Sequence, residues 1–123
     1  MVIILIVGFA IAIYIGLLNQ PQPPTDATKA LLAGEDLIRI HLHAPATAQF
    51  SPGDASATYS TRRLDGDWNV GGYVDDENGY AAVSRRKWQE IVQQQGSTWA
   101  SRYWRVDDAS SGAYPVDAPS VGN

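Results

Sequence analysis

The chain has 123 residues, a formal net charge of −4 and no cysteine. This length allows one domain, or one small domain with an appendage. The absence of cysteine excludes disulfide bonds, thiolate metal sites and cysteine nucleophiles. Thirteen acidic residues outnumber nine Lys and Arg, which argues against a nucleic-acid-binding protein, because such proteins neutralise phosphates with cationic side chains.

The first predicted element is a transmembrane helix over residues 1–20. Residues 1–18 read MVIILIVGFAIAIYIGLL and contain no charged side chain, so the helix is apolar on every face. Its length at the α-helical rise is roughly 27 Å, which matches the hydrocarbon core of a bilayer. No basic residue precedes the run and no Ala-x-Ala site follows it, which favours an uncleaved signal anchor over a cleaved signal peptide.

Small residues in this helix predict contacts with other membrane helices. Gly8, Ala12 and Gly16 recur at every fourth position and share one helix face, where small side chains let a second helix approach closely. Tyr14 lies near the polar end, at the depth of the lipid headgroups, and is a candidate partner contact. The predicted location is the bacterial cytoplasmic membrane, crossed once, with the C-terminal domain in the periplasm.

A Pro-rich linker over residues 21–25 precedes a predicted α+β domain over residues 26–106. Apolar residues at helical spacing predict a helix that is capped by Thr25 or Asp26 and ends at the Ala44-Pro45 step.

Four strands are predicted after that helix, because segments rich in β-forming residues are bounded by Gly-, Asp- and Asn-rich turns. They cover residues 57–64, 68–74, 80–92 and 98–106. The stretch WQEIVQQQ at residues 88–95 is equally compatible with a helix. The expected fold class is therefore a single transmembrane helix, a small α+β domain with one helix packed on a three- or four-stranded antiparallel sheet, and an extended C-terminal tail at residues 107–123.

Two motifs in the domain resemble a small module of bacterial and phage envelope proteins. The corner LHAPATAQF occupies residues 42–50, and the hairpin GYVDDENGYAA occupies residues 72–82. The resemblance spans roughly residues 30–92, and the chain departs from the module in lacking its cysteines. It implies a fold and an envelope setting, and it transfers no catalytic residue, since the module has no assigned reaction.

Two polar patterns bear on metal binding. His41 and His43 share a side in a strand but diverge on a helix, where they are simply polar residues at a helix end. The run from Asp75 to Glu77 lacks the alternating oxygen ligands of a calcium loop and favours a solvated turn. We therefore expect no metal, no cofactor and no catalytic residue, and we do not expect an enzyme.

Basic clusters and tryptophans provide candidate partner contacts. The pairs Arg62-Arg63 and Arg85-Arg86, the latter followed by Lys87, form either one basic patch for an acidic partner or lipid, or an ordinary charged face. Four tryptophans exceed what a small core needs, and Trp often anchors interfaces. The candidate contacts in the domain are Arg85, Arg86, Trp99, Tyr103 and Trp104.

Together these features predict a non-catalytic accessory subunit that stabilises or bridges a larger bacterial membrane complex, such as a photosynthetic or respiratory assembly. Its expected partners are other membrane subunits, contacted through the helix, the domain and the tail, and lipid. No nucleic-acid partner is expected. The alternative is a membrane-tethered envelope binding module that captures a soluble protein or ligand.

Overall fold

The computed structural model describes residues 25–77, 80 and 82–117 of the chain. Within these residues there is one α-helix, followed by two 3-10 turns and six strands. The elements are α1 (Asp26–Ile38), the 3-10 turns Arg39–His41 and Pro45–Thr47, and strands β1 (Gln49–Phe50), β2 (Tyr59–Arg62), β3 (Trp68–Glu77), β4 (Val83–Gln95), β5 (Thr98–Val106) and β6 (Ala109–Ser110).

Helix α1 begins at the predicted cap and ends earlier than predicted. The Thr25 hydroxyl accepts a hydrogen bond from the Thr28 N–H at 3.2 Å, which satisfies one of the free donors of the first turn. The helix ends at Ile38, not at the Ala44-Pro45 step, because a 3-10 turn follows and Leu42 is extended. That extension returns the Leu42 side chain to the core, where it is 7% exposed.

The sheet is antiparallel throughout, and β3, β4 and β5 form its centre. The free edge of β3 is covered by two short strands, with β1 paired near Val74 and β2 paired along residues 68–71. On the other side, β6 folds back on the end of β5. The long central strands therefore provide a rigid platform, and the short strands cover parts of its edges.

The hydrophobic core lies between α1 and one face of this sheet. Ala30 and Ile38 of the helix are fully buried against Val70, Val74 and neighbouring side chains of β4 and β5. A Cβ on Gly34 would lie 2.5 Å from Val70 Cγ2, so the helix backbone approaches β3 as closely as it does because this residue has no side chain.

The predicted transmembrane helix is not supported. No helix in the described ranges is long and apolar enough to cross a membrane. Helix α1 has 13 residues, about 20 Å at the α-helical rise, and its polar side faces solvent. The segment predicted to span the membrane, residues 1–20 with Gly8, Ala12, Tyr14 and Gly16, lies outside the described residues, as do linker residues 21–24. The expected fold class and the single-pass, signal-anchor interpretation are therefore corrected to one short helix on an antiparallel sheet.

The sheet also has more strands than the three or four predicted. Strands β1 and β6 have two residues each, too few for an alternating pattern to be visible in the sequence. The stretch at residues 88–95 is strand, because its residues pair with both β3 and β5 along the length of the sheet. The predicted tail is likewise ordered by contacts with the domain as far as Asp117.

Candidate functional site

Helix α1 covers one face of the sheet, and the opposite face carries the candidate site. Side chains alternate across a strand, so Tyr73 and its partner across the sheet, Lys87, point away from the helix. Tyr59 of β2 and Arg105 of β5 extend the same face. We call the depression of about 970 Å³ on this face the open groove. Its lining includes Tyr59, Tyr73, Arg85, Lys87, Gln89 and Arg105, with Asp107 and Asp108 at one rim.

One wall of the open groove is an ordered arginine on a tyrosine. The Arg85 guanidinium donates two hydrogen bonds to the Asp75 carboxylate, at 2.8 and 2.9 Å, and lies 3.8 Å from the centre of the Tyr73 ring. The hydrogen bond from Arg85 lowers the pKa of Asp75, and the same contact raises the pKa of Arg85. Both groups therefore remain charged at neutral pH, and the guanidinium is held flat against the ring.

The remaining cations of the groove are less constrained. Among the described residues, no carboxylate pairs with the Lys87 ammonium. Arg105 Nε donates to the backbone oxygen of Asp107 at 2.8 Å, so its charge is not neutralised by that contact. The Asp107 carboxylate accepts from the Lys87 backbone N–H at 3.1 Å and shapes the turn at the rim.

The aromatic end of the groove is formed by Tyr59, which lies across Gly71 of the neighbouring strand. Burial, together with the nearby phenols of Tyr114 and Tyr103, raises the pKa of Tyr59 to about 12. The hydroxyl therefore stays neutral and available as a donor or acceptor. Its side chain remains partly exposed beside the cations.

The other end of the same face is covered by residues 111–117, which we call the strap. Arg63 holds it: Nη1 donates to the Tyr114 hydroxyl at 3.1 Å and Nη2 to the Pro115 carbonyl at 3.0 Å. Asp117 lies 3.8 Å from Arg63 Nε and accepts from the Leu64 N–H at 2.8 Å. We call this set of contacts around Arg63 the Arg63 clamp.

The clamp is reinforced by acidic side chains of the turn between β2 and β3. Asp65 lies 3.1 Å from Arg63 Nη2, and Asp65 and Asp67 both pair with Arg102 of β5. Burial raises the pKa of Asp65, but hydrogen bonds from the Asp67 N–H, Arg63 and Arg102, with the Arg63 charge, bring it below its usual value. The Arg63 side chain is only 3% exposed.

The structure separates the candidate partner contacts. Arg85 faces the open groove, whereas Arg86 lies on the helix-side face and pairs with the buried Asp76 carboxylate at 2.7 Å. Trp99 packs against the core, and Tyr103 is buried beneath the ring of Tyr114. Of the predicted basic clusters, Arg85 and Lys87 direct their side chains to the face that carries the groove. Arg62 and Arg63 do not join them: Arg62 lies over Trp68 of β3, and Arg63 is enclosed in its clamp.

The histidines do not converge on one site. His41 stacks on Trp104 with ring centres 3.7 Å apart, and burial lowers the pKa of His41. His43 is exposed, and its backbone N–H donates to the Asp76 carboxylate at 3.1 Å. In the described part of the chain, no group of three or more His, Asp or Glu is placed to hold a metal ion.

The acidic run does not form the solvated turn that the sequence predicted. Asp75, Asp76 and Glu77 belong to β3, where they pair with residues of β4. Adjacent residues of a strand point to opposite faces, so Asp75 points to the face that carries the groove and Asp76 to the helix-side face. The pairing with β4 is what extends the strand beyond its predicted end at residue 74.

A buried carboxyl in the core escaped the sequence analysis. Glu90 is 0% exposed, and neither of its carboxyl oxygens accepts a well-formed hydrogen bond from the described residues. Burial, partly offset by the nearby Ser101 hydroxyl, raises the pKa of Glu90 to about 8. Glu90 lies two residues from Trp88 and two from Val92, which are both core residues. In a strand this spacing puts Glu90 on the same, buried face, and that was the signal available in the sequence.

Comparisons of the chain with protein-family models, with curated proteins and with solved structures found no match. The likeness to the envelope module therefore depends on the two motifs quoted above. In the structure, the corner motif carries the chain from α1 into β1, and residues 72–77 of the hairpin motif form the end of β3.

Proposed function

We propose that the protein is a non-catalytic accessory subunit that binds a partner protein through the open groove and so stabilises or bridges a protein complex. The observation that carries this proposal is the uneven covering of the sheet. One face is filled by α1, while the other keeps a groove in which Lys87 and Arg105 project beside Tyr59. The partner surface that this groove suits is polar and bears carboxylates.

The side chains of the groove are of the types that anchor protein interfaces. Tyr and Arg are enriched at such sites because they combine contact area with directional hydrogen bonds. Arg85 is already fixed against Tyr73, so little side-chain freedom is lost when a partner binds there. The groove lies on β3, β4 and β5, and this rigid base further lowers the entropic cost of binding.

The charges of the groove favour one orientation of the partner. Lys87 and Arg105 lie beyond the Arg85–Asp75 pair and attract carboxylates. Asp107 and Asp108 at the rim repel them and favour donor groups instead. A bound surface is therefore expected to present acidic groups over β4 and donors over the turn between β5 and β6.

A charge-reversal experiment tests this function. The full chain, immobilised through an N-terminal tag, is exposed to an extract of the cells that produce it, and retained proteins are identified by mass spectrometry. We expect Lys87→Glu/Arg105→Glu to lose proteins that the wild type retains, because both groove cations become repulsive. Soluble polyglutamate is expected to release the same proteins from the wild type, and so is a rise in salt.

The matched control reverses two cations away from the groove, Lys29→Glu/Arg62→Glu. Lys29 is exposed on α1 and Arg62 is exposed on β2 over Trp68. This variant is expected to retain the same proteins as the wild type. Equal retention by all three proteins would overturn the proposal, and so would equal loss from both variants.

A further inference from the structure

The Arg63 clamp has the features of a site that recognises an extended peptide. The Arg63 side chain is only 3% exposed, a degree of burial at which a charged group needs partners. Its guanidinium contacts three groups of one passing segment: two accept hydrogen bonds from Nη1 and Nη2, and the third lies 3.8 Å from Nε. Those groups are a phenol oxygen, a backbone carbonyl and a carboxylate, contributed by Tyr114, Pro115 and Asp117. The fork of the guanidinium suits several acceptors at once.

The Arg63 clamp contacts side chains of the strap as well as its backbone. Tyr114 lies edge-on to Tyr103, with ring centres 5.3 Å apart, and the Arg63 guanidinium lies 5.4 Å from the Tyr114 ring centre. Asp117 also accepts from the backbone N–H groups of Leu64 and Asp65, at 2.8 and 3.4 Å. A tyrosine followed three residues later by a carboxylate therefore satisfies both ends of the site.

Apart from these contacts, the strap is held loosely. Within the described part of the chain, its one backbone-to-backbone hydrogen bond to the sheet joins Ser111 N and Trp104 O at 3.0 Å. Tyr114 is 47% exposed and Val116 is 84% exposed. A segment with few backbone bonds and exposed side chains opens at low cost, whereas the clamp that it leaves is supported by the turn between β2 and β3.

We infer that the Arg63 clamp is a peptide-binding site for an extended segment with a tyrosine and, three residues later, a carboxylate. The strap occupies this site until a partner's segment of the same chemistry replaces it. The inference rests on the proposed function, because the clamp and the open groove lie on the same face and the partner in the groove supplies the segment. Tyr59 lies between them, near Tyr103 and Tyr114.

A labelled peptide tests the inference on the full chain. The probe is a fluorescein-labelled synthetic peptide of residues 111–117, SGAYPVD, and its binding is followed by fluorescence anisotropy. We expect the chain carrying Tyr114→Ala/Asp117→Ala to bind it at least about tenfold more tightly than the wild type, because an attached strap competes at an effective concentration of about 1 mM. A variant of unchanged circular dichroism that binds no more tightly than the wild type would overturn the inference.

Changes in the peptide keep the test valid even where a protein variant folds poorly. A peptide with alanine in place of its aspartate leaves the protein unaltered, and its binding to the Tyr114→Ala/Asp117→Ala chain is expected to fall about tenfold, because a charge-assisted contact is lost. Equal binding of the original and the alanine-containing peptide would show that the Arg63 clamp does not recognise the carboxylate, and the inference would fail.

Two controls separate this site from the groove and from self-association. Adding Lys87→Glu/Arg105→Glu to the Tyr114→Ala/Asp117→Ala chain should leave peptide binding unchanged. The test of the peptide site is therefore independent of the groove. Light scattering of the wild type should show no dimer that depends on the strap. A dimer that Asp117→Ala abolishes would assign the site to a second copy and overturn its assignment to a different partner.

Discussion

Two adjacent acidic residues, Asp75 and Asp76, each pair with an arginine of β4, but on opposite faces of the sheet. The Asp75–Arg85 pair lies on the exposed side, with the two side chains 27% and 61% exposed, so it adds little stability. The Asp76 carboxylate is 0% exposed and binds both Arg86 and the His43 N–H. That buried contact ties the corner motif to the hairpin motif and gives their joint occurrence a structural reason.

The buried carboxyl of Glu90 makes stability depend on pH. Its pKa in the fold is about 8, against an ordinary value of 4.5, so the folded chain binds the proton more tightly than the unfolded chain. This contribution is complete below pH 4.5 and is lost as the pH rises toward 8, by about 1.4 kcal/mol per pH unit. Glu90→Gln is expected to remove this slope.

Urea unfolding of the wild type and Glu90→Gln at several pH values between 5 and 8 measures the effect. The difference between the two proteins isolates Glu90 from other titrating groups. Among these, His41 acts in the opposite direction: burial lowers its pKa, so its contribution to stability increases as the pH rises toward the ordinary value of 6.5 and is constant above it. Parallel slopes for the two proteins would contradict a neutral, buried Glu90 at neutral pH.

At the scale of elements, the contact between α1 and β3 depends on Gly34. Alanine there would place its Cβ 2.5 Å from Val70 Cγ2, so the helix must shift away from the sheet. We expect Gly34→Ala to lower the free energy of unfolding by about 1–3 kcal/mol, even though alanine favours helix. Urea denaturation measures the loss.

Gly53 provides the matched control, because a Cβ there has no atom within 4 Å. Gly53→Ala is expected to change the free energy of unfolding by less than about 0.5 kcal/mol. Equal effects of the two substitutions would mean that the packing of α1 on β3 does not limit stability.

The sequence predicted those elements whose signal lies within the element itself. Strand β5 has its predicted bounds, Thr98–Val106, and the cap of α1 is Thr25, one of the two predicted candidates. Strand β4 is displaced from the predicted 80–92 to 83–95, since a strand end is set by the partner with which it pairs. Strands of two residues carry no pattern of their own.

The candidate site was harder to predict, because it depends on contacts between distant residues. Arg63 and Tyr114 are separated by 51 positions, and nothing local in either segment indicates that they meet. The same holds for the groove, where strand pairing places Arg105 beside Gln89 and Lys87 beside Tyr73. The sequence shows a run of three basic residues, but it does not show which of them point to the same face of the sheet.

For the whole molecule, the two faces of the sheet divide stability from binding. The face under α1 holds the core, and the opposite face is divided between the strap and the open groove. Since the chain is acidic overall, with a net charge of −4, the cations of the groove are a local exception to its surface. A carboxylate-bearing partner is therefore attracted to this face more than to the acidic parts of the surface.

This division predicts that the strap opens independently of the core, and native-state hydrogen exchange measures it. The Leu64 amide donates to Asp117 at 2.8 Å, whereas Val70 lies in the centre of β3, paired with Ser60 and Glu90. In Asp117→Ala, the Leu64 amide is expected to exchange at least about tenfold faster while the Val70 amide is unchanged, because local and global opening are separate events. Equal acceleration of both amides would show that the strap and the core open as one unit, and a strap of that kind could not give way to a partner's segment while the domain stays folded.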